Sequence, residues 1–428
     1  MSRILEYRSE ASRGRRAVRC AKRSLRELAV FGKEPAFAQP LHVGRPNLGS
    51  RSAMVERFNR MLDRRWLTNH GAFATEFEQR IARAAGTKHC IATCNATIAL
   101  ELAIRAAGLK GEVIVPSFTF VATAHALQWQ EITPVFCDIG AASHNIDPAQ
   151  VERMITPRTT GILGVHLWGR ACDIDALSRI ARRHRLTLLF DAAHAFGSTF
   201  HGEPLGRFGR ATVFSFHATK FLNTGEGGAI VTDDDEFARK LRLMTNFGFS
   251  GYDEVIYLGT NGKMSEAAAL MGLTNLESVP AFIDANKRNH ELYERLLADI
   301  PGLSLLRYDP HEHSNYQYVV VEVDAGRTKL TRDQLVRLLH TEGVIARRYF
   351  FPGVHRMEPY RSHFPHAGLL LPNTEALCER VMVLPTGTAI GPEEITAICS
   401  LLDTAISGAE DVASRLPPEA SMLREASL

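Results

Sequence analysis

Phe214-Ser215-Phe216-His217-Ala218-Thr219-Lys220, followed at 223–228 by Asn-Thr-Gly-Glu-Gly-Gly, is the stretch on which the reading of this chain turns. An apolar run ends and a lysine follows it. In a sheet of parallel strands, residues just past a strand's carboxyl end face the crevice where ligands bind. A lysine partly withdrawn from water there has a lowered pKa, and its neutral amine can form a Schiff base. Ser215 offers a hydroxyl to a phosphate. The glycines beyond the lysine let backbone approach closely. Taken alone, a lysine after a strand is more often a solvated surface group, so its neighbours decide the matter.

Three other segments end apolar runs in the same way. Phe190-Asp191-Ala192-Ala193-His194 closes the run before the lysine run. A buried carboxylate such as Asp191 needs a cationic partner, or else caps a following helix. His194 is in reach of whatever Asp191 faces. Thr93-Cys94-Asn95-Ala96-Thr97 passes from strand to helix, and the free N–H groups of a helix start attract a phosphate, with Ala96 and Thr97 as ligands. Plain capping by Asn95 or Thr97 is the simpler reading of that turn. Pro116-Ser117-Phe118-Thr119-Phe120 places an aromatic, Phe120, where it can stack on a flat ring. No GxGxxG follows a strand, which disfavours a dinucleotide-binding fold. Together the four segments supply a phosphate cradle, a stacking ring, a partner for a pyridinium nitrogen and a lysine. Those are the parts that pyridoxal 5′-phosphate (PLP) requires of a protein.

The rest of the chain supplies the frame. Apolar runs at 89–94, 112–117, 133–139, 161–167, 186–192, 212–217 and 228–233 alternate with stretches of helical period, beginning with 53–64 and 73–85. Many runs are apolar at consecutive positions, as in strands buried on both faces. The spacing predicts an α/β domain with a mostly parallel central sheet flanked by helices. A single long helix is expected over about 264–300. Strands at 316–323 and 344–350, around a helix starting near Thr331, predict a smaller C-terminal α+β domain. The expected division is a basic, loosely ordered leader at 1–40, a large cofactor-binding domain at 41–285, a small domain at 286–408 and a disordered tail at 409–428.

The chain has 428 residues, 45% hydrophobic and 23% charged, with a formal net charge of +3. Nothing there calls for nucleic acid or a membrane. The seven cysteines include no CxxC pair, which suits a reducing cytoplasm and neither a disulfide scaffold nor a metal site. No apolar run is long enough to span a bilayer, and no secretory signal is visible. The expected location is cytoplasmic. The arginines and lysines of 3–33 can be read as an arm for an acidic surface or as a plain leader.

The segments WLTNHGAFATEFE (66–78), CNATIAL (94–100), VPSFTFVATAHA (115–126), TPRTTGILGVHLWG (156–169), FDAAHAFG (190–197), SFHATKFLNTGEGG (215–228) and GTNGKMSEAAALMG (259–272) resemble the DegT/DnrJ/StrS nucleotide-sugar aminotransferases, a branch of the fold-type I PLP enzymes. The likeness covers about residues 40–408. It implies that Lys220 carries the cofactor and shuttles the proton, and that Asp191 pairs the pyridine nitrogen. It places His194, where the family often has Gln, at the ring oxygen. Phe120 would stack on one ring face and Ala193 on the other, with Ala96, Thr97 and Ser215 on the phosphate. Asn261 would reach the phosphate of a neighbouring subunit, making a homodimer with composite sites. Lys263 stands where many relatives have Arg. VGRPN (43–47), ARRYFFPGVHRMEPYR (346–361) and LPTGTAI (384–390) are most similar to enzymes that aminate C4 of dTDP-4-keto-6-deoxy-D-glucose. That resemblance implies L-glutamate as donor and dTDP-4-amino-4,6-dideoxy-D-glucose as product. Tyr349 and His355 lie in the second stretch, where they either line the sugar end or pack. A 3-keto sugar, a GDP-linked sugar, an aminocyclitol ketone, or a regulatory protein that senses PLP or a sugar stay open as alternatives.

Overall fold

A computed structural model describes residues 21–416. Seven strands form the central sheet: β1 (His89–Thr93), β2 (Glu112–Pro116), β3 (Thr133–Cys137), β4 (Thr159–Val165), β5 (Thr187–Asp191), β6 (Ala211–Ser215) and β7 (Gly228–Thr232). Their order across the sheet is β1-β7-β6-β5-β4-β2-β3. All pairs are parallel except those of β7, which runs against both β1 and β6. The expected mostly parallel α/β sheet is therefore present, with every expected strand within two residues of its place.

The consecutive apolar positions have a direct cause. Val113, Val115, Leu189 and Val213 feed one core, while Ile114, Phe190 and Phe214 feed the core on the opposite face. Side chains alternate along a strand, so a sheet covered by helices on both sides must be apolar at every position. The same topology brings the ends of β1, β2, β5 and β6 to one edge. There Gly228 at the start of β7 pairs with both Thr93 and Ser215. A Cβ on Gly228 would sit 2.7 Å from the Ala96 nitrogen, so only glycine lets β7 pass beneath the helix Ala96–Ala106.

Three expectations change. The long helix over 264–300 is two helices, Glu266–Leu276 and Val279–Leu297, because Pro280 falls in the first turn of the second. Proline has no N–H to continue a helix and fits the first turn of a new one. The expected domain limit at 285/286 lies inside Val279–Leu297. Phe282 of that helix packs on the large core, and Tyr293 and Leu297 pack on the small one. The strand over 344–350 shrinks to Val344–Ile345, which pairs with Leu41–His42. Beyond it Arg347 keeps an isolated bridge to Val383, and Phe350 turns into an aromatic cluster with Phe118 and Trp168.

The smaller sheet has the order Leu303–Leu305, Val319–Val323, Val381–Leu384. Its core includes both ends of the described chain, so residues 21–40 and 409–416 are packed rather than loose or disordered. Leu28, Ala36 and Phe37 are buried in it. So is Val412 of the helix Ala409–Arg415. Residues 1–20 and 417–428, where the rest of the leader and tail lie, are outside the described residues. The N-terminal segment is pinned by Glu342, whose buried carboxylate accepts hydrogen bonds from Lys22 Nζ at 2.6 Å, Ala29 N at 2.6 Å and Ala36 N at 2.8 Å. Among the described residues, no helix is long and apolar enough to cross a membrane.

Replacing Glu342 by Ala leaves the buried Lys22 ammonium with only the Glu34 carbonyl and takes the acceptor from the Ala29 and Ala36 N–H groups. A loss of about 3–5 kcal/mol is expected, read as a lowered midpoint of urea unfolding followed by circular dichroism. Lys22→Met with Glu342→Leu together should recover part of it, since both charges then leave the interior.

Candidate active site

A cavity of about 400 Å³ opens at the carboxyl edge of the sheet, and segments from both sheets line it. At its floor lies Lys220, on the turn that follows β6. Its Nζ reaches the Tyr318 hydroxyl at 3.2 Å. Apolar rings and backbone strip water from the amine and push its pKa down to about 8, while Tyr349 and Asp191 oppose the shift. An amine of this kind is half neutral at about pH 8, far more so than an ordinary lysine, as a nucleophilic lysine needs.

Asp191, the last residue of β5, is buried on the same edge. Its Oδ2 accepts a hydrogen bond from Thr123 Oγ1 at 2.9 Å and its Oδ1 accepts one from Ala193 N at 3.0 Å. Burial raises its pKa, and the two hydrogen bonds and Lys220 pull against that. No helix starts at Asp191, so the capping role does not apply: the carboxylate is held by Thr123 and the Ala193 N–H and lines the cavity.

His194 stands beside it, buried, with its pKa well below the ordinary value because burial and Lys220 both disfavour a second positive charge. Its Nδ1 accepts the Trp168 N–H at 3.2 Å. The neutral ring must then carry its proton on Nε2, leaving that atom a donor. Its ring lies nearly parallel to those of Trp168 and Phe350.

The anion cradle follows from β1. Asn95 caps the helix Ala96–Ala106 by accepting the Ile98 N–H through its side chain at 2.9 Å. The cap satisfies a later N–H, and those of Ala96 and Thr97 have no carbonyl within the helix to bond. Capping and cradle are therefore both features of this turn. Ala96, Thr97 and Ser215 line the cavity together. Phe120 also lines it, and its ring is 59% exposed, an unusual state for a large aromatic beside a packed core.

Of the residues singled out from sequence, Ala96, Thr97, Phe120, Asp191, Ala193, His194, Ser215, Lys220 and Tyr349 meet in this one cavity. Two do not. Asn261 is exposed, outside the cavity, and bridges to Asn246. His355 is buried away from it. Its Nδ1 meets Ser117 Oγ at 2.7 Å, its Nε2 meets Glu375 Oε1 at 2.6 Å, and the Val354 N–H bonds the Ser117 carbonyl at 3.0 Å. Of the two readings of His355, packing is the one the geometry takes: it fastens the 345–356 segment to the end of β2.

Sequence reasoning passed over Thr123, Tyr318, Arg347 and Phe350. Thr123 sits in the helix Ala122–Gln128, one turn past Phe120, and nothing in its surroundings marks it as a carboxylate partner. Tyr318 precedes the strand Val319–Val323, where an aromatic reads as ordinary strand material. The pairing of a small-sheet tyrosine with a large-sheet lysine is decided only when the two units dock.

A half-buried lysine of lowered pKa, a buried carboxylate and a helix-start anion cradle at the carboxyl edge of an α/β sheet define the class: an aminotransferase. The chain belongs to the DegT/DnrJ/EryC1/StrS aminotransferase family, whose match spans residues 50–403. It is 33% identical over 363 residues to a dTDP-4-amino-4,6-dideoxy-D-glucose transaminase of Escherichia coli, covering 84% of this chain and 97% of that one. It is 36% identical over 351 residues to a GDP-perosamine synthase of Caulobacter vibrioides, covering 80% and 92%. Among solved structures, DesI in the presence of its TDP-sugar product superposes with a TM-score of 0.88 at 51% identity, covering 92% of this chain and 99% of DesI.

Because burial lowers the Lys220 pKa to about 8, the neutral fraction grows with pH and is nearly complete about one unit higher. Modification of the free Lys220 amine in cofactor-free protein by a small amine-directed reagent, followed by peptide mass spectrometry, should quicken up to about pH 8–9 and then level off. Exposed lysines should continue to speed up toward about pH 10.

Proposed function

We propose that this protein transfers an amino group from L-glutamate to C4 of dTDP-4-keto-6-deoxy-D-glucose, with PLP held at Lys220. The observation that carries the proposal is the meeting of Lys220, Asp191 and the Ala96–Thr97 cradle in one cavity. The residues fit the cofactor: an amine for its aldehyde, free N–H groups for its phosphate, and a buried carboxylate whose raised pKa a ring cation would relieve. When bound, PLP supplies an aldehyde and an electron-withdrawing ring that makes the neighbouring C–H acidic.

Each side chain then has a task. Asp191, fixed by Thr123 and Ala193 N, keeps the ring nitrogen protonated. His194 donates its Nε2 proton to the ring oxygen, since Trp168 N occupies its Nδ1. Phe120 and Ala193 hold the two ring faces, and Ala96, Thr97 and Ser215 hold the phosphate. Lys220 Nζ takes the proton from the donor's Cα and later returns one to the sugar carbon, and Tyr318 keeps that amine oriented between the two transfers. Apolar neighbours keep water from competing for the proton.

The relatives' names support a C4 amination of a dTDP-linked 6-deoxy sugar. A second reading, the same chemistry on a GDP-linked keto sugar, is favoured by the GDP-perosamine synthase likeness. A panel of purified keto sugars separates the two by kcat/KM.

The protein is further proposed to be a homodimer. Leu48, Val55, Phe58, Leu62 and Trp66 are exposed along and beside the helix Arg51–Arg64, and Phe247, Tyr252, Ile256 and Leu258 are exposed on one loop. Apolar patches of this extent call for a partner. The family resemblance implies that a second copy would receive Asn261 at its phosphate cradle, and the exposure of Asn261 outside its own cavity is consistent with that role. Light scattering at micromolar concentration should give a mass near 95 kDa, twice the 47.4 kDa of one chain; a monomer would defeat the composite site.

Borohydride treatment of the protein as isolated, followed by peptide mapping, should fix the cofactor's mass on Lys220 alone. Lys220→Ala should lose at least about a thousandfold in transamination rate. Asp191→Asn should retain weak cofactor binding and lose about a hundredfold in kcat, as expected for an ion pair worth about 3 kcal/mol in the transition state. Ordinary turnover in Lys220→Ala would overturn the assignment.

A further inference from the structure

Four basic side chains line the cavity: His194, His217, Lys220 and Arg347. Three are accounted for. His194 is neutral, Lys220 carries the amine chemistry, and His217 Nε2 lies 3.6 Å from Glu226 Oε1. Arg347 is left over, and its setting is unusual for a surface arginine.

Its backbone is fixed on both sides. Arg347 N donates to the Val383 carbonyl at 3.0 Å and Val383 N donates to the Arg347 carbonyl at 2.8 Å. The guanidinium carbon rests 5.2 Å from the centre of the Tyr349 ring, another cavity residue. Stacking of this kind restricts the fork's orientation and lowers the entropy lost on binding. Among the described residues no carboxylate forms an ion pair with it, whereas the next residue, Arg348, is bonded to Asp333 at 2.8 Å. A permanent cation is therefore held at the rim of the cavity without a counter-charge among the described residues.

The reaction proposed above gives that cation a use. Its two substrates occupy one cavity in turn, and both are oxyanions: an amino acid bears carboxylates and a nucleotide sugar bears a diphosphate. A planar fork with several donors matches either group by paired hydrogen bonds. We propose that Arg347 is the substrate-oxyanion residue of this cavity, seating a carboxylate of the amino donor and the diphosphate of the nucleotide sugar in alternation. The inference rests on the aminotransferase reading of the site and adds to it the group that recognises substrate charge. Glu226, the exposed acid of the lining, pairs with neither Arg347 nor Lys220: its Oε1 lies 3.6 Å from His217 Nε2.

The test is a pair of half-reactions on the holoenzyme with Arg347→Met and Arg347→Lys. One arm follows the spectral change with glutamate, and the other follows its reversal with dTDP-4-keto-6-deoxy-D-glucose. In Arg347→Met the concentration giving half-maximal rate should rise about tenfold to a hundredfold, the loss of a charge-assisted hydrogen bond, far more than the limiting rate falls. Arg347→Lys should recover part of it. An effect in the glutamate arm assigns the carboxylate, one in the sugar arm assigns the diphosphate, and effects in both assign the alternation. Calorimetric binding of dTDP alone gives an independent measure in the sugar arm, and its weakening by added salt should be smaller in Arg347→Met. Unchanged half-saturation in both arms, with melting temperature preserved, would overturn the role of Arg347. If wild-type protein shows no spectral change with any amino donor, the aminotransferase reading fails instead, which dTDP binding alone would not mimic.

Discussion

An amine and a carboxylate are withdrawn from water side by side at one edge of a sheet, and much of the structure exists to make that tolerable. Desolvation disfavours the charged form of each, pulling the Lys220 pKa down and the Asp191 pKa up, and each group moderates the other. Asp191 survives burial because Thr123 and the Ala193 N–H bond its two oxygens. Lys220 survives it because its turn is fixed and its amine has Tyr318 as neighbour. Parallel strands bring the two together without long loops, since β5 and β6 are adjacent and end on the same side.

The site is also a joint between the two sheets. Tyr318, Arg347, Tyr349 and Phe350 come from the smaller unit, and the rest come from the larger one. Several contacts hold the joint. The Ser117–His355–Glu375 chain ties the 345–356 segment to the end of β2. Glu342 ties the N-terminal segment to the small core, and that segment continues to Val43 and Gly44 in the cavity wall. Gly44 has φ +73°, and a Cβ there would meet Thr219 at 2.9 Å, so the wall closes on the lysine turn only with glycine at this point. The basic leader is thus, from residue 21 onward, part of the architecture that shapes the cavity.

Much of this was legible in the chain itself. A strand buried on both faces must be apolar at each position, so the seven strands could be read from runs such as 112–117 and 228–233. The residues after a parallel strand's carboxyl end must share an edge, so the sequence places Lys220, Asp191, Ala96 and Phe120 together. Where local pattern misled, a local rule was overridden by packing. Helical period continued through 276–280, but Pro280 started a new helix. The 346–350 segment was diverted from its sheet because Phe350 finds a larger aromatic cluster beside Trp168.

Sequence by itself determined the sheet, its edge and the chemistry of its four loop segments, because periodicity and strand-end geometry act over a few neighbouring residues. Only the tertiary structure decided that Thr123 secures Asp191, that Trp168 sets the proton position of His194, that His355 is a fastening and that Arg347 stands at the rim with no ion-pair partner among the described residues. Each of those depends on partners between 20 and 238 residues away, or on the absence of one among the described residues. Contacts of that separation follow from how the two units dock, which no local spacing records.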